Sequence, residues 1–264
     1  MTDQFITGDC RNVLPQLPEE SVDLVVTSPP YNQDVAYEDH MDALSHSEYI
    51  AWLKDIFFKI HRVLKFGGRV CINVGDGNNG AIPTHSDIIQ FMQDLSYIPM
   101  TTIIWDKKNC SSRTSWGSFK SPSCPSFPTP FEYILVFAKG SRKLQTPGET
   151  DLTKEEFIEW SLPIWFVQAK DYMTTTALIN RGVHPAPYPE EIPKRCIKMF
   201  SWKDAVVLDP FAGYGTTAVA CKKYDRRYIC IELSETYAEK ALKRLENLSV
   251  MDSLFGEEDL DGKI

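Results

Sequence analysis

Ala205 to Leu208 (AVVL) runs straight into Asp209-Pro210-Phe211-Ala212-Gly213-Tyr214-Gly215-Thr216-Thr217, and a helical pattern continues from Gly215 to Lys223. A buried strand, a glycine-rich turn and a helix in direct succession leave few folds open. The next apolar run, Arg227 to Ile231 (RYICI), is expected beside the first as a parallel strand, because a crossover helix returns the chain in the same direction. The alternation recurs upstream. Ser21 to Thr27 (SVDLVVT), Arg69 to Val74 (RVCINV), Thr101 to Trp105 and Glu132 to Phe137 (EYILVF) read as strands. Helices are expected over Ser47 to Lys65, ending at Gly67-Gly68, and over Asp87 to Leu95, Lys154 to Trp160, Pro189 to Phe200 and Glu235 to Leu248. The pattern predicts an α/β fold with a mainly parallel twisted sheet and helices on both faces. The 264 residues suit one such domain carrying a small insertion.

No apolar run reaches the roughly 18 residues a membrane span needs, and the start, MTDQFITGDC, lacks the pattern of a secretory signal. The seven cysteines include no C-x-x-C pair and the five histidines no paired spacing. A cytoplasmic location, reduced thiols and no metal site are therefore expected. The net charge of −8 is unevenly spread. Residues 107–143 hold seven basic residues against one acid, Glu132, whereas 251–264 hold five acids against Lys263. The basic zone, not the total, governs docking to a polyanion.

The turn after Leu208 is neither G-x-G-x-x-G nor G-x-x-x-x-G-K-[ST], which disfavours phosphate-cradling nucleotide sites. Its glycines admit close approach of a ligand to the backbone, and the helix start beyond offers free N–H groups to an anion. Glu232 ends the next strand, where an acid can accept from ribose hydroxyls. A nucleoside bearing a carboxylate but no phosphate suits this set, and S-adenosylmethionine is such a ligand. The G-x-G alone fits a tight strand-to-helix turn with no ligand equally well. Asp209 and Glu232, two acids at neighbouring strand ends, favour the site.

Thr27-Ser28-Pro29-Pro30-Tyr31-Asn32 closes another predicted strand. Two prolines fix the backbone and remove two donors, leaving the Ser28 hydroxyl and the Ser28 and Pro29 carbonyls as acceptors beside a rigid aromatic ring. That suits a flat ring carrying an exocyclic amine, its N–H groups held by the acceptors and its face stacked on Tyr31. Taken alone, a Pro-Pro turn with Tyr31 merely packed is the plainer reading, because such turns are common.

Together, the two segments resemble the amino-methylating DNA methyltransferases, which transfer a methyl group from S-adenosylmethionine to cytosine N4 or adenine N6. The order, catalytic motif first and cofactor motif last, is similar to the β-class permutation of that family, over roughly residues 4–248. The resemblance implies a Rossmann-like methyltransferase fold and places Ser28, Pro29, Pro30 and Tyr31 on the catalytic motif. It places Asp209, Pro210, Phe211, Ala212, Gly213 and Gly215 on the cofactor loop. Thr216 and Thr217 are implied at the cofactor's carboxylate, Glu232 at its ribose, Asp9 near its adenine and His184 at its methionine end. Residues 1–140 then form the catalytic half, 184–249 the cofactor half, 141–183 a target-recognition insertion and 250–264 an acidic, flexible tail.

Double-stranded DNA is the implied partner, with a cognate restriction endonuclease and the choice between monomer and homodimer left open. The basic stretch Lys107, Lys108, Arg113, Trp116 and Lys120 interleaves charge with aromatic surface and suits contact with DNA, although a solvated charged loop would read the same. By the same resemblance, serine in place of aspartate at position 28 favours cytosine N4, with adenine N6 as the rival. An RNA or nucleobase methyltransferase and a catalytically silent DNA-binding module are weaker readings. Covalent attack at cytosine C5 is set aside because no Pro-Cys dipeptide occurs.

Overall fold

A computed structural model of the chain describes residues 3–31, 36–37, 40–41, 44–107, 117–118, 120–125, 127, 129–168 and 189–255. In chain order the strands are β1 (Gln4–Thr7), β2 (Val22–Thr27), β3 (Ala36–Tyr37), β4 (His40–Met41), β5 (Leu64–Val74), β6 (Tyr97–Asp106), β7 (Phe131–Lys139), β8 (Ile164–Phe166), β9 (Val206–Asp209) and β10 (Arg227–Glu232). The helices are α1 (Cys10–Val13), α2 (His46–Val63), α3 (Thr84–Asp94), α4 (Lys154–Trp160), α5 (Glu191–Phe200), α6 (Thr216–Lys223) and α7 (Glu235–Phe255). No described helix is long and apolar enough to cross a membrane.

Eight strands form one sheet in the order β1-β10-β9-β2-β5-β7-β6-β8, and β3 with β4 makes a separate two-stranded ribbon. Within the large sheet β7 alone runs against the rest. Side chains alternate between two cores, as the pleat requires. Val25, Val70, Ile72, Leu135, Leu208 and Ile229 face a layer holding Leu53, Phe57, Ile60 and Ile88 of α2 and α3. Leu24, Val26, Cys71, Val136, Val207 and Cys230 face Trp160, Ile192, Ile197, Val219 and Leu245 of α4, α5, α6 and α7. The expected sheet covered on both faces is what forms.

One junction positions everything that follows. β2 and β9 are neighbours, yet the chain leaves β9 through α6 toward β10 and leaves β2 through α2 toward β5, in opposite directions along the sheet. Such a divergence opens a crevice at the carboxyl ends of the two strands.

The structure differs from the sequence reading at three places. Gly67 and Gly68 do not terminate α2, which ends at Val63; they lie inside β5. A Cβ on Gly67 would stand 2.7 Å from the Lys143 carbonyl oxygen, and one on Gly68 2.7 Å from Leu64 Cδ1. The glycines serve a close approach of neighbouring chain rather than a helix stop. The described part of 141–183 is built into the domain: β8 pairs in parallel with β6, and Trp160 and Trp165 are buried. α7 continues to Phe255, into the stretch read as tail.

Trp165 is 1% exposed, and its indole N–H donates to the Trp160 carbonyl at 2.9 Å. Trp165→Ala is predicted to lower the unfolding free energy by about 3–5 kcal/mol in chemical denaturation, an effect a peripheral insertion would not produce.

Candidate active site

The four residues of Ser28 to Tyr31 follow β2, and Pro210 to Gly215 follow β9, so the two segments share one edge of the sheet. A side-chain contact joins their bases. Thr27, the last residue of β2, donates its hydroxyl to Asp209 Oδ1 at 2.6 Å. Thr217, in the first turn of α6, donates to Oδ2 at 2.6 Å, and the Phe211 N–H donates to Oδ1 at 3.1 Å. Asp209 is buried, and burial raises its pKa while the two threonines and the Phe211 amide pull it back. Its carboxylate is thus turned into the protein, where it clamps strand, turn and helix together.

The turn is held on its other side by Glu232. Gly213 N–H donates to Oε2 at 2.7 Å and Ser234 N–H to Oε1 at 2.9 Å. Burial raises the Glu232 pKa, opposed by the Ser234 and Gly213 amides. Each carboxylate oxygen can accept a second hydrogen bond, so Glu232 retains acceptor capacity at the end of β10. Ala212 N–H reaches the Ile231 carbonyl at 2.9 Å. Gly215 caps α6 at φ +70°, and a Cβ there would stand 3.1 Å from Ala241 Cβ; glycine meets both demands. Thr216 lies 3.3 Å from an Arg244 guanidinium nitrogen. Phe211 packs against Trp52 of α2, with ring centroids 5.5 Å apart. Asp9 caps α1, accepting from the Arg11 N–H at 2.8 Å and pairing with its guanidinium at 2.6 Å.

On the β2 side, Ser28 and Tyr31 are half-buried and Pro29 is buried. The Tyr31 hydroxyl donates to Glu132 Oε2 at 2.9 Å and lies 3.1 Å from Ser28 Oγ. Asn73, near the end of β5, sends Nδ2 to Tyr31 at 2.8 Å and to Glu132 Oε2 at 2.7 Å. Lys107 folds its ammonium onto Glu132 Oε1, with its nitrogen 5.1 Å from the Trp105 ring centre. Burial and the Glu132 charge push the Tyr31 phenol well above its ordinary pKa, so it stays protonated. Gly75 completes the wall: a Cβ there would lie 3.3 Å from Glu132 Cγ and 3.5 Å from Tyr31 Cε2.

Sequence reasoning missed Asn73 and Glu132. Glu132 did carry a signal, as the one acid within a stretch of seven basic residues. Lys107, read as a DNA contact, sits in this network, while Lys120 is exposed beyond it. His184, Lys108, Arg113 and Trp116 lie outside the described residues.

Across residues 22–243 the chain matches the profile of the N6/N4 DNA methylase family. It is 46% identical over 163 residues to the type II methyltransferase M.MjaVI of Methanocaldococcus jannaschii, covering 61% of this chain and 83% of that one. With the type II methyltransferase M.MjaI of the same organism it shares 30% identity over 270 residues, 88% of either chain. Among solved structures, TTHA0409 of Thermus thermophilus complexed with S-adenosyl-L-methionine superposes with a TM-score of 0.71 at 32% identity, over 92% of this chain and 94% of that one.

Asp209→Ala would strand two buried hydroxyls and an amide, so we predict a loss of about 3 kcal/mol or more of unfolding free energy. Asp209→Asn should cost far less, because an amide oxygen still accepts from Thr27 and Phe211. Paired urea denaturation curves of the two variants check this difference.

Proposed function

The chain belongs to the N6/N4 DNA methylase family, and from that premise we propose that it transfers a methyl group from S-adenosylmethionine to the N4 amine of a flipped-out cytosine in duplex DNA, as a site-specific type II modification enzyme. The observation that carries this reading is the Thr27–Asp209 contact, which sets the acceptor-rich Ser28–Tyr31 turn beside the glycine turn at one crevice.

The donor set suits S-adenosylmethionine. Glu232 has lone pairs left for two ribose hydroxyls, and Gly213 carries positive φ where a side chain would crowd an approaching ligand. The start of α6, with Thr216, suits the carboxylate. Asp209 contributes by shaping the loop rather than by contact, its oxygens being engaged by Thr27, Thr217 and Phe211. Asp9 and His184 remain our proposals for the adenine and methionine ends. When bound, the cofactor supplies a methyl group activated by positive sulfur.

An exocyclic amine is a poor nucleophile because its lone pair is conjugated with the ring. Ser28 Oγ and the Pro29 carbonyl, accepting its two protons, favour rehybridisation and aim the lone pair at the methyl group. Tyr31 stacks on the ring face, and the rigid prolines hold the reacting atoms in line, so that the rate gain comes from positioning. The base must leave the duplex stack, which costs a few kcal/mol. The proposed DNA contacts are Lys108, Arg113, Trp116 and Lys120. Lys107 faces the same edge but gives its charge to Glu132. Target recognition is assigned to 141–183, with β8 and α4 as its anchor in the sheet.

Cytosine N4 is favoured over adenine N6 by Ser28, and the modified nucleoside decides. Digestion of methylated duplex DNA and mass analysis should yield N4-methylcytosine; N6-methyladenine would move the substrate to the rival base. Cofactor binding should weaken on acidification. The ribose hydroxyls need the Glu232 carboxylate as acceptor, and its pKa is raised above the usual glutamate value. Affinity is therefore full above that raised value and lost as pH falls through it, and Glu232→Gln should flatten this dependence in calorimetric titrations.

A further inference from the structure

As the methyl group moves to it, the amine becomes cationic and strongly acidic, and its proton must leave in step with transfer for the ring to keep its conjugation. The described residues show where that proton can go. Glu132 Oε2 accepts from both the Tyr31 hydroxyl, at 2.9 Å, and Asn73 Nδ2, at 2.7 Å. A carboxylate only accepts, so the single Tyr31 proton points at Glu132. The Tyr31 oxygen must then accept its other partners, Asn73 Nδ2 at 2.8 Å and Ser28 Oγ at 3.1 Å. Asn73 spends both its N–H groups on the two short contacts and stands 3.5 Å from Ser28 Oγ. Every other member thus fixes the direction of the Ser28 hydroxyl: it donates to Tyr31, and its lone pairs stay available to a substrate N–H. Lys107 holds the far carboxylate oxygen, so Oε2 is the one that meets Tyr31 and Asn73.

We infer that Glu132, through Tyr31 and Ser28, is the proton-accepting end of a relay that deprotonates the amine as it is methylated. This rests on the amino-methyl transfer proposed above and adds to it a residue that does not touch the substrate. The steps balance. The product N–H breaks as Ser28 Oγ takes the proton, Ser28 gives its own proton to the Tyr31 oxygen, and Tyr31 gives its proton to Glu132 Oε2. The cationic product becomes neutral and the carboxylate becomes a carboxylic acid. Glu132 returns its proton to water once the product leaves. Tyr31 is never a phenolate at rest, in keeping with its raised pKa. Glu132 is therefore a positioning residue that both orients Ser28 and stores the proton.

The test is single-turnover methyl transfer to duplex DNA, with S-adenosylmethionine and DNA affinities measured in parallel. Glu132→Gln keeps an oxygen acceptor for Tyr31 but cannot take a proton. The expected result is a rate about 100-fold or more below wild type, with both dissociation constants within about 3-fold, and partial rescue by Glu132→Asp. Tyr31→Phe keeps the stacking ring and breaks the relay, so it gives an answer even if Glu132→Gln fails to fold. It should lose rate to a similar extent, and the double variant should be no slower than the slower single variant, because the two residues act as one unit. A Glu132→Gln or Tyr31→Phe enzyme within about 3-fold of wild type overturns the relay, as do multiplying losses in the double variant. A wild-type protein that transfers no methyl group to DNA overturns the proposed reaction itself, a separate result.

Discussion

Two threonine hydroxyls on one buried carboxylate hold this molecule's business end together. Thr27 ends β2 and Thr217 opens α6, and Asp209 binds both at 2.6 Å. The pairing of β2 with β9 brings the two turns side by side, and the clamp ties their bases to each other. With it, the acceptor-rich turn and the glycine turn have a fixed separation, set by strand spacing rather than by flexible side chains. The pKa of Asp209 is raised in the fold, so charge burial here is not a source of stability near neutral pH. The folded state binds a proton more readily than the unfolded chain, and that contribution is lost as pH rises through the folded value. The benefit of the carboxylate is geometric: it satisfies two hydroxyls and an amide that would otherwise be stranded.

A second polar system sits on the other side of the crevice, and it works by direction. Lys107 and Glu132 are 25% and 11% exposed in their side chains, so their attraction is little screened by water. An ion pair of this kind adds little net stability once desolvation is counted. It does fix where every proton in the network points. The acceptor-only carboxylate orients Tyr31, Tyr31 with Asn73 orients Ser28, and Ser28 is left facing the crevice as an acceptor. A neutral cluster of hydroxyls would have no preferred sense.

Much of this was legible in the sequence because it is local. The alternation of strand and helix, the Pro-Pro turn and the glycine turn each occupy one short window, and their placement at one sheet edge follows from the parallel topology. What escaped was non-local. Asn73 and Glu132 are 45 and 104 residues from Ser28, and nothing in their own windows marks them beyond a lone acid among bases. Asp209 was readable as a site acid, but not that it turns inward to Thr27, a residue 182 positions away. β8 is too short for its period to show, and Gly67-Gly68 in β5 looked like a helix stop because glycine marks close packing and chain reversal alike.

The central claim is that the two turns clamped by Asp209 form one site, with the methyl donor on one wall and the amine acceptors on the other. The most direct measurement is a crystal structure with S-adenosylhomocysteine, the product of the donor. The account predicts its ribose hydroxyls on Glu232 and its sulfur in the crevice, facing Ser28 and the Pro29 carbonyl. A ligand bound away from Glu232, or with its sulfur screened from Ser28 by Phe211, would contradict it.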